Sequence, residues 1–145
     1  MEVPRTPAQW FALLAGAFLV ALGVLTLVLN GLAFGETSNP ADFLIWKASG
    51  WNTILWMAMG AIGVVASTRV DAARSYGLIA ALVFGVLAVW GFIDSGYDTM
   101  GIFAIGTTGN ITHAVIAGLG AFVALAPESA QRRTGVPPAR DPHPS

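Results

Sequence analysis

Cysteine is absent from the 145 residues, and only 10% of them are charged. Without cysteine there is no disulfide framework, no thiolate metal site and no cysteine nucleophile. A soluble domain carries about 25% charge, so water is not the main solvent of this chain. The charges that remain nearly cancel, to a formal net charge of −1. No cluster of arginine and lysine interleaved with aromatics stands before the C-terminal tail, which excludes nucleic acid as a partner.

What is present is apolar. Hydrophobic residues make up 55% of the chain, and the mean hydropathy is +0.69 even with a polar tail included. A helix needs about 20 mostly apolar residues to cross a bilayer, and four segments meet or approach that length: 10–29, 51–67, 76–93 and 108–126. The expected fold is therefore all-α, a polytopic membrane protein with a transmembrane domain over 1–126. Interfacial aromatics mark several of its ends, namely Trp10, Trp46, Trp51, Tyr76 and Tyr97, while Trp56 and Trp90 lie deeper. Residues 127–145, rich in proline and small polar residues, form a tail expected to be flexible.

Arginine and lysine are retained on the cytoplasmic side of a membrane. An arrangement with both termini cytoplasmic places Arg5, Arg69, Arg74, Arg132, Arg133 and Arg140 inside and only Lys47 outside. The expected location is thus the plasma membrane, multi-pass, with Glu36, Asp42, Asp94 and Asp98 in the outer loops. The first span is read as retained, because its apolar run of about 20 residues exceeds the usual signal core of about 7–15. Between the first two spans, Asn39 and Pro40 suit a helix start. Residues 40–49 are expected to be helical, either lying on the outer leaflet or extending the second span.

A shift of 58 residues brings Ser49, Asn52, Leu55 and Gly60 onto Thr107, Asn110, His113 and Gly118. This reads as two helical hairpins related by an axis along the membrane normal, two parallel two-helix repeats. Small residues recur every four positions as Gly77, Ala81 and Gly85 in the third span, and as Ala114 and Gly118 in the fourth. Such spacing lets helix backbones approach closely, and packing within the chain is the expected use.

His113 is the one ionisable group inside a span, and it shares a face with Ala117, Gly120 and Ala124. Two readings stand. A neutral imidazole can bond across helices as packing glue, or, with Asn110 and Asn52, it can line a polar pocket open to the outer side and respond to pH. The asparagines have their own alternative, that each caps the start of its helix. Metal binding is not expected, since it takes about three protein ligands and no second histidine or carboxylate stands at ligand spacing. Neither a nucleophile–base pair nor paired carboxylates appear, so no enzyme activity and no cofactor are expected.

The opening Arg5-Thr6-Pro7-Ala8-Gln9, running into a helix with Gly16 and Gly23, resembles the start of a family of small bacterial membrane proteins, the domain of unknown function numbered 4383. The resemblance runs from about Arg5 to Ala126 and implies four spans, with Asn-x-x-His motifs opening the second and fourth. Asn110-Ile111-Thr112-His113 matches that motif. The second span departs from it: Asn52 is there, but Leu55 stands where the motif has histidine, so the resemblance carries no paired-histidine site onto this chain. The function expected from all of this is a non-enzymatic bundle that self-assembles or binds another membrane protein. The alternative is a small permease or channel subunit.

Overall fold

The structure, a computed structural model, describes residues 5–32, 34, 41–43, 46–94, 103 and 106–127. Glu36, Tyr97, Asp98, the tail beyond Pro127 and, as side chains, Asp42, Trp46 and Lys47 lie outside the described residues. Four helices, α1 (Pro7–Asn30), α2 (Gly50–Ala66), α3 (Val70–Ile93) and α4 (Thr107–Leu125), form the bundle, with two short strands, β1 (Ala41–Phe43) and β2 (Trp46–Ala48), between α1 and α2. Three of the helices are long and apolar enough to cross a membrane. The fourth, α2, has 17 residues, the lower end of the spanning range. Only 33–39% of each long helix's apolar stretch is buried inside the protein. Side chains such as Leu14, Leu82 and Phe122 are 62–70% exposed, an arrangement that suits lipid and not water. This is an integral membrane protein.

Local chemistry sets the helix ends. The Thr6 hydroxyl accepts from Gln9 N, the Gln9 side chain accepts from Thr6 N, and Pro7 opens α1, so three of the sequence's own signals agree on one start. At its other end Gly31 takes φ +65° and returns its N–H to Leu27 O, a backbone state that favours glycine. The third helix begins at Val70, ahead of the expected 76, because its first turns carry Asp71 and Arg74. Arg74 Nη2 donates to Ala124 O and Ala126 O at 3.1 and 3.3 Å. It places a cation on the free carbonyls of the α4 C-terminus, where the helix dipole is negative.

The segment expected to be helical over 40–49 pairs instead as an antiparallel β1–β2 hairpin, in register Ala41↔Ala48 and Phe43↔Trp46. Ten residues make fewer than three turns of helix, with most backbone groups left unsatisfied at its ends. Phe43 and Trp46 also prefer strands.

The bundle is built from two antiparallel hairpins, α1 on α2 and α3 on α4. Each has glycine against glycine at its closest crossing. A Cβ on Gly16 would lie 2.8 Å from Gly60 O, and one on Gly60 2.7 Å from Gly16 O. A Cβ on Gly77 would lie 2.9 Å from Gly120 O, and one on Gly120 2.6 Å from Gly77 O. Each hairpin is also tied at the same end: Gln9 Nε2 donates to Ser67 O at 3.1 Å across the first, as Arg74 does across the second. The two hairpins thus share a glycine crossing, with Gly77 in the place of Gly16 and Gly120 in that of Gly60, two residues beyond the Gly118 that the 58-residue shift aligns with Gly60.

That register corrects the expected packing residues. Gly77 is at the crossing, but its partner is Gly120 and not Gly118, whose added Cβ would meet nothing within 4 Å. Ala81 is half-buried with its N 3.3 Å from the position of a Gly120 Cβ, and a Cβ on Gly85 would meet only Ala117 Cβ, at 3.8 Å. Residues 118 and 120 are two steps of about 100° apart, so they cannot share a face.

Tyr76 also departs from expectation. It is 1% exposed and turned into the bundle, where its ring covers the bare backbone at Gly63 and packs 6.1 Å from the Phe11 ring. Trp10 and Trp51 do face outward, at 49% and 47% exposure.

Candidate functional site

The polar residues singled out from the sequence are all deeply placed: His113, Asn110 and Asn52 are buried. Solvent reaches none of them in this conformation, yet they do different jobs. Asn52 closes the start of α2. Its Oδ1 accepts from Ser49 Oγ at 2.7 Å and from Ser49 N at 3.4 Å, while Asn52 N donates to Ser49 Oγ at 3.4 Å. This is a reciprocal capping box in which asparagine stands where glutamate or glutamine is usual. Thr53 adds a hydroxyl bond to Ser49 O at 3.1 Å, so the polar atoms at this helix start are largely satisfied from within it.

Asn110 has no such role. The N-cap of α4 is Gly106, which has no side-chain cap bond, and Asn110 lies four residues further in. Its side chain is turned across the hairpin onto Gly91, where an added Cβ would run into the amide. Ser49 and Thr107, aligned by the 58-residue shift, thus have different fates, and only the first copy of the asparagine is a cap.

His113 stands at the junction of three helices. Trp56 Nε1, on α2, donates to His113 Nε2 at 3.3 Å. The Phe84 ring, on α3, lies 5.1 Å from the imidazole at 32°, and the indole ring is 6.4 Å away at 61°. An indole can only donate, so the imidazole must offer a lone pair and is held as the neutral, accepting form. Protonation would set a second N–H against the first. The tryptophan–histidine bond joins the two hairpins, which also meet through ring contacts such as Phe11 with Tyr76.

Trp56 is the residue that sequence reasoning missed. It lies one turn after Asn52 on the same helix face, so the asparagine's inward position was a signal that the indole turns inward too. Its partner, 57 positions away, left no local trace. Among the described residues no group of three or more His, Cys, Asp or Glu side chains comes together. The histidine's neighbours named above are an indole and a phenyl ring, so they offer hydrogen bonding and packing but no nucleophile for it to activate.

Comparison with known proteins agrees with this architecture. The family described as "Domain of unknown function (DUF4383)" matches residues 9–126, which takes in all four helices except the first two residues of α1. No curated protein and no solved structure matches the chain. With the match running from the first turn of α1 to the end of α4, the chain belongs to the DUF4383 family.

Proposed function

We propose that the protein is a non-enzymatic membrane bundle that assembles with further copies of itself through the outer face of α4. One observation carries this reading. Ala114 and Gly118, one turn apart, are exposed, and an added Cβ at Gly118 would meet nothing within 4 Å. Small residues at that spacing let a second helix backbone come close, and among the described residues nothing covers Gly118. Ile111, Val115 and Phe122, each more than half exposed, flank the pair. An apolar groove of about 560 Å³ between α1 and α4, lined by Phe11, Phe18, Leu119 and Phe122 among others, continues the same surface.

Gly118→Leu fills that contact without touching the fold. The variant should lose oligomers by native mass spectrometry in mild detergent, while its melting temperature stays near that of the wild type or rises slightly with helix propensity. A wild type that runs as a monomer, or oligomers that persist in the variant, would refute self-assembly. One copy held in a complex with a different membrane protein would assign the face to that partner.

A second reading, a small permease or channel subunit, is favoured by one feature: the Trp56–His113 bond lies at the junction of two hairpins that are each tightly packed within themselves. Movement of one repeat against the other is how many transporters alternate access. Flux of neutral solutes into proteoliposomes tests it.

We also place the protein in the plasma membrane with both termini in the cytoplasm, the orientation resting on the charge asymmetry alone. Cysteines introduced at Thr37 and Thr99 should then react with an impermeant thiol reagent in intact cells, and cysteines at Ser75 and Ser129 should not. Labelling at Ser129 with protection at Thr37 reverses the orientation.

A further inference from the structure

Two buried side-chain atoms on α4 are chemically complementary, and neither has a hydrogen-bond partner: His113 Nδ1 and Asn110 Oδ1. Because Trp56 donates to His113 Nε2, a neutral imidazole carries its single hydrogen on Nδ1. Nδ1 is therefore a donor, and the amide oxygen an acceptor. Unpaired polar atoms at this depth are rare, since each has given up its water without a replacement.

The surroundings are shaped for something small. Asn110 and His113 are 4% and 1% exposed. They stand three residues apart on one helix, where Cβ atoms are about 5–6 Å from one another. Gly91 leaves room for the amide, since a Cβ there would collide with it. Phe84 and Trp56 wall the imidazole with rings. A charged ligand would find no counter-charge, because no carboxylate, arginine or lysine is among these neighbours. One open donor and one open acceptor match a neutral molecule that accepts one hydrogen bond and donates another. The unpaired Tyr76 hydroxyl is excluded from this site: it lies against Gly63, eight residues and about 12 Å along α3 from Phe84.

We propose that Asn110 and His113 hold one bound water molecule, which accepts from His113 Nδ1–H and donates to Asn110 Oδ1. Two polar partners are the minimum for a buried water. The water extends the Trp56–His113 bond into a chain of three hydrogen bonds that runs from α2 through the imidazole to the amide facing α3. The inference is independent of whether α4 mediates self-assembly.

The test is nuclear magnetic resonance of the protein in detergent micelles, labelled with ¹⁵N-histidine and carrying His143→Ala so that one imidazole remains. The expected spectrum has the proton on Nδ1 and a cross-peak between that proton and water. In Asn110→Leu the cross-peak should fall at least twofold while Nδ1 stays protonated. A proton found on Nε2 overturns the proposal, as does an Nδ1–H with no water cross-peak, which would indicate a direct bond to Asn110. An undiminished cross-peak in the folded leucine variant overturns it as well. The tautomer and the cross-peak are read from the unaltered site, so they decide the matter even if Asn110→Leu does not fold.

Discussion

Gly120→Leu should open the α3–α4 hairpin, lowering stability by about 3 kcal/mol or more, at the upper end of what overpacking a close contact costs. The reason is that the obstacle is backbone. The first carbon of any side chain at 120 would sit 2.6 Å from Gly77 O, with Ala81 N at 3.3 Å behind it, and neither can rotate away. Gly16→Leu should do the same to the α1–α2 hairpin, where Val64 N and Gly60 O lie 2.7 and 2.8 Å from the added carbon. Thermal melting in detergent gives the comparison, with Gly118→Leu as the control. It adds the same side chain two residues along the same helix, into open space. Gly85→Leu should fall between them, since only Ala117 Cβ at 3.8 Å stands in its way. Equal melting temperatures for the 118 and 120 variants would show that the glycine crossing is misplaced.

His113→Leu has the second large effect expected. It leaves Trp56 Nε1–H buried without an acceptor, a loss of about 1–3 kcal/mol, while removing little volume. Trp56→Phe costs stability for a different reason, the space left by the indole, and it no longer needs the imidazole. The double variant should therefore be more stable than the sum of the two losses implies, because removing both partners leaves no stranded group. Strict additivity would mean that the bond contributes nothing. His113→Gln separates the two roles considered for this residue. Glutamine keeps an acceptor but does not titrate, so if the imidazole is packing glue the variant should melt near the wild type. A response between about pH 5 and 8 that disappears in the glutamine variant while its stability stays near wild type would instead make His113 a sensor.

Membership of the DUF4383 family and the lipid-facing character of the helices fit a molecule whose polar residues are mostly turned inward and spent on holding it together. Asn52 and Ser49 close a helix, Gln9 and Arg74 tie the hairpin ends, and Trp56 and His113 join the hairpins. In hydrocarbon there is no water to satisfy such groups, so their partners must come from the protein or from molecules it traps.

The amino-acid sequence by itself determined the solvent, the number of helices and most of their ends. Those depend on properties of consecutive residues: the length of an apolar run, and a threonine, proline or glycine at a terminus. It also determined that His113 turns inward, because 3.6-residue periodicity puts it on one face with Gly120. Tertiary structure decided which glycines meet, that Asn52 caps a helix while Asn110 crosses to Gly91, that residues 41–43 and 46–48 pair as strands, and that Trp56 is the histidine's partner. Helix pairs can slide and rotate past one another in steps that leave every local pattern unchanged. Only the summed packing of all four helices selects the register that puts Gly120 on Gly77, and with that register the positions of the buried polar atoms are set.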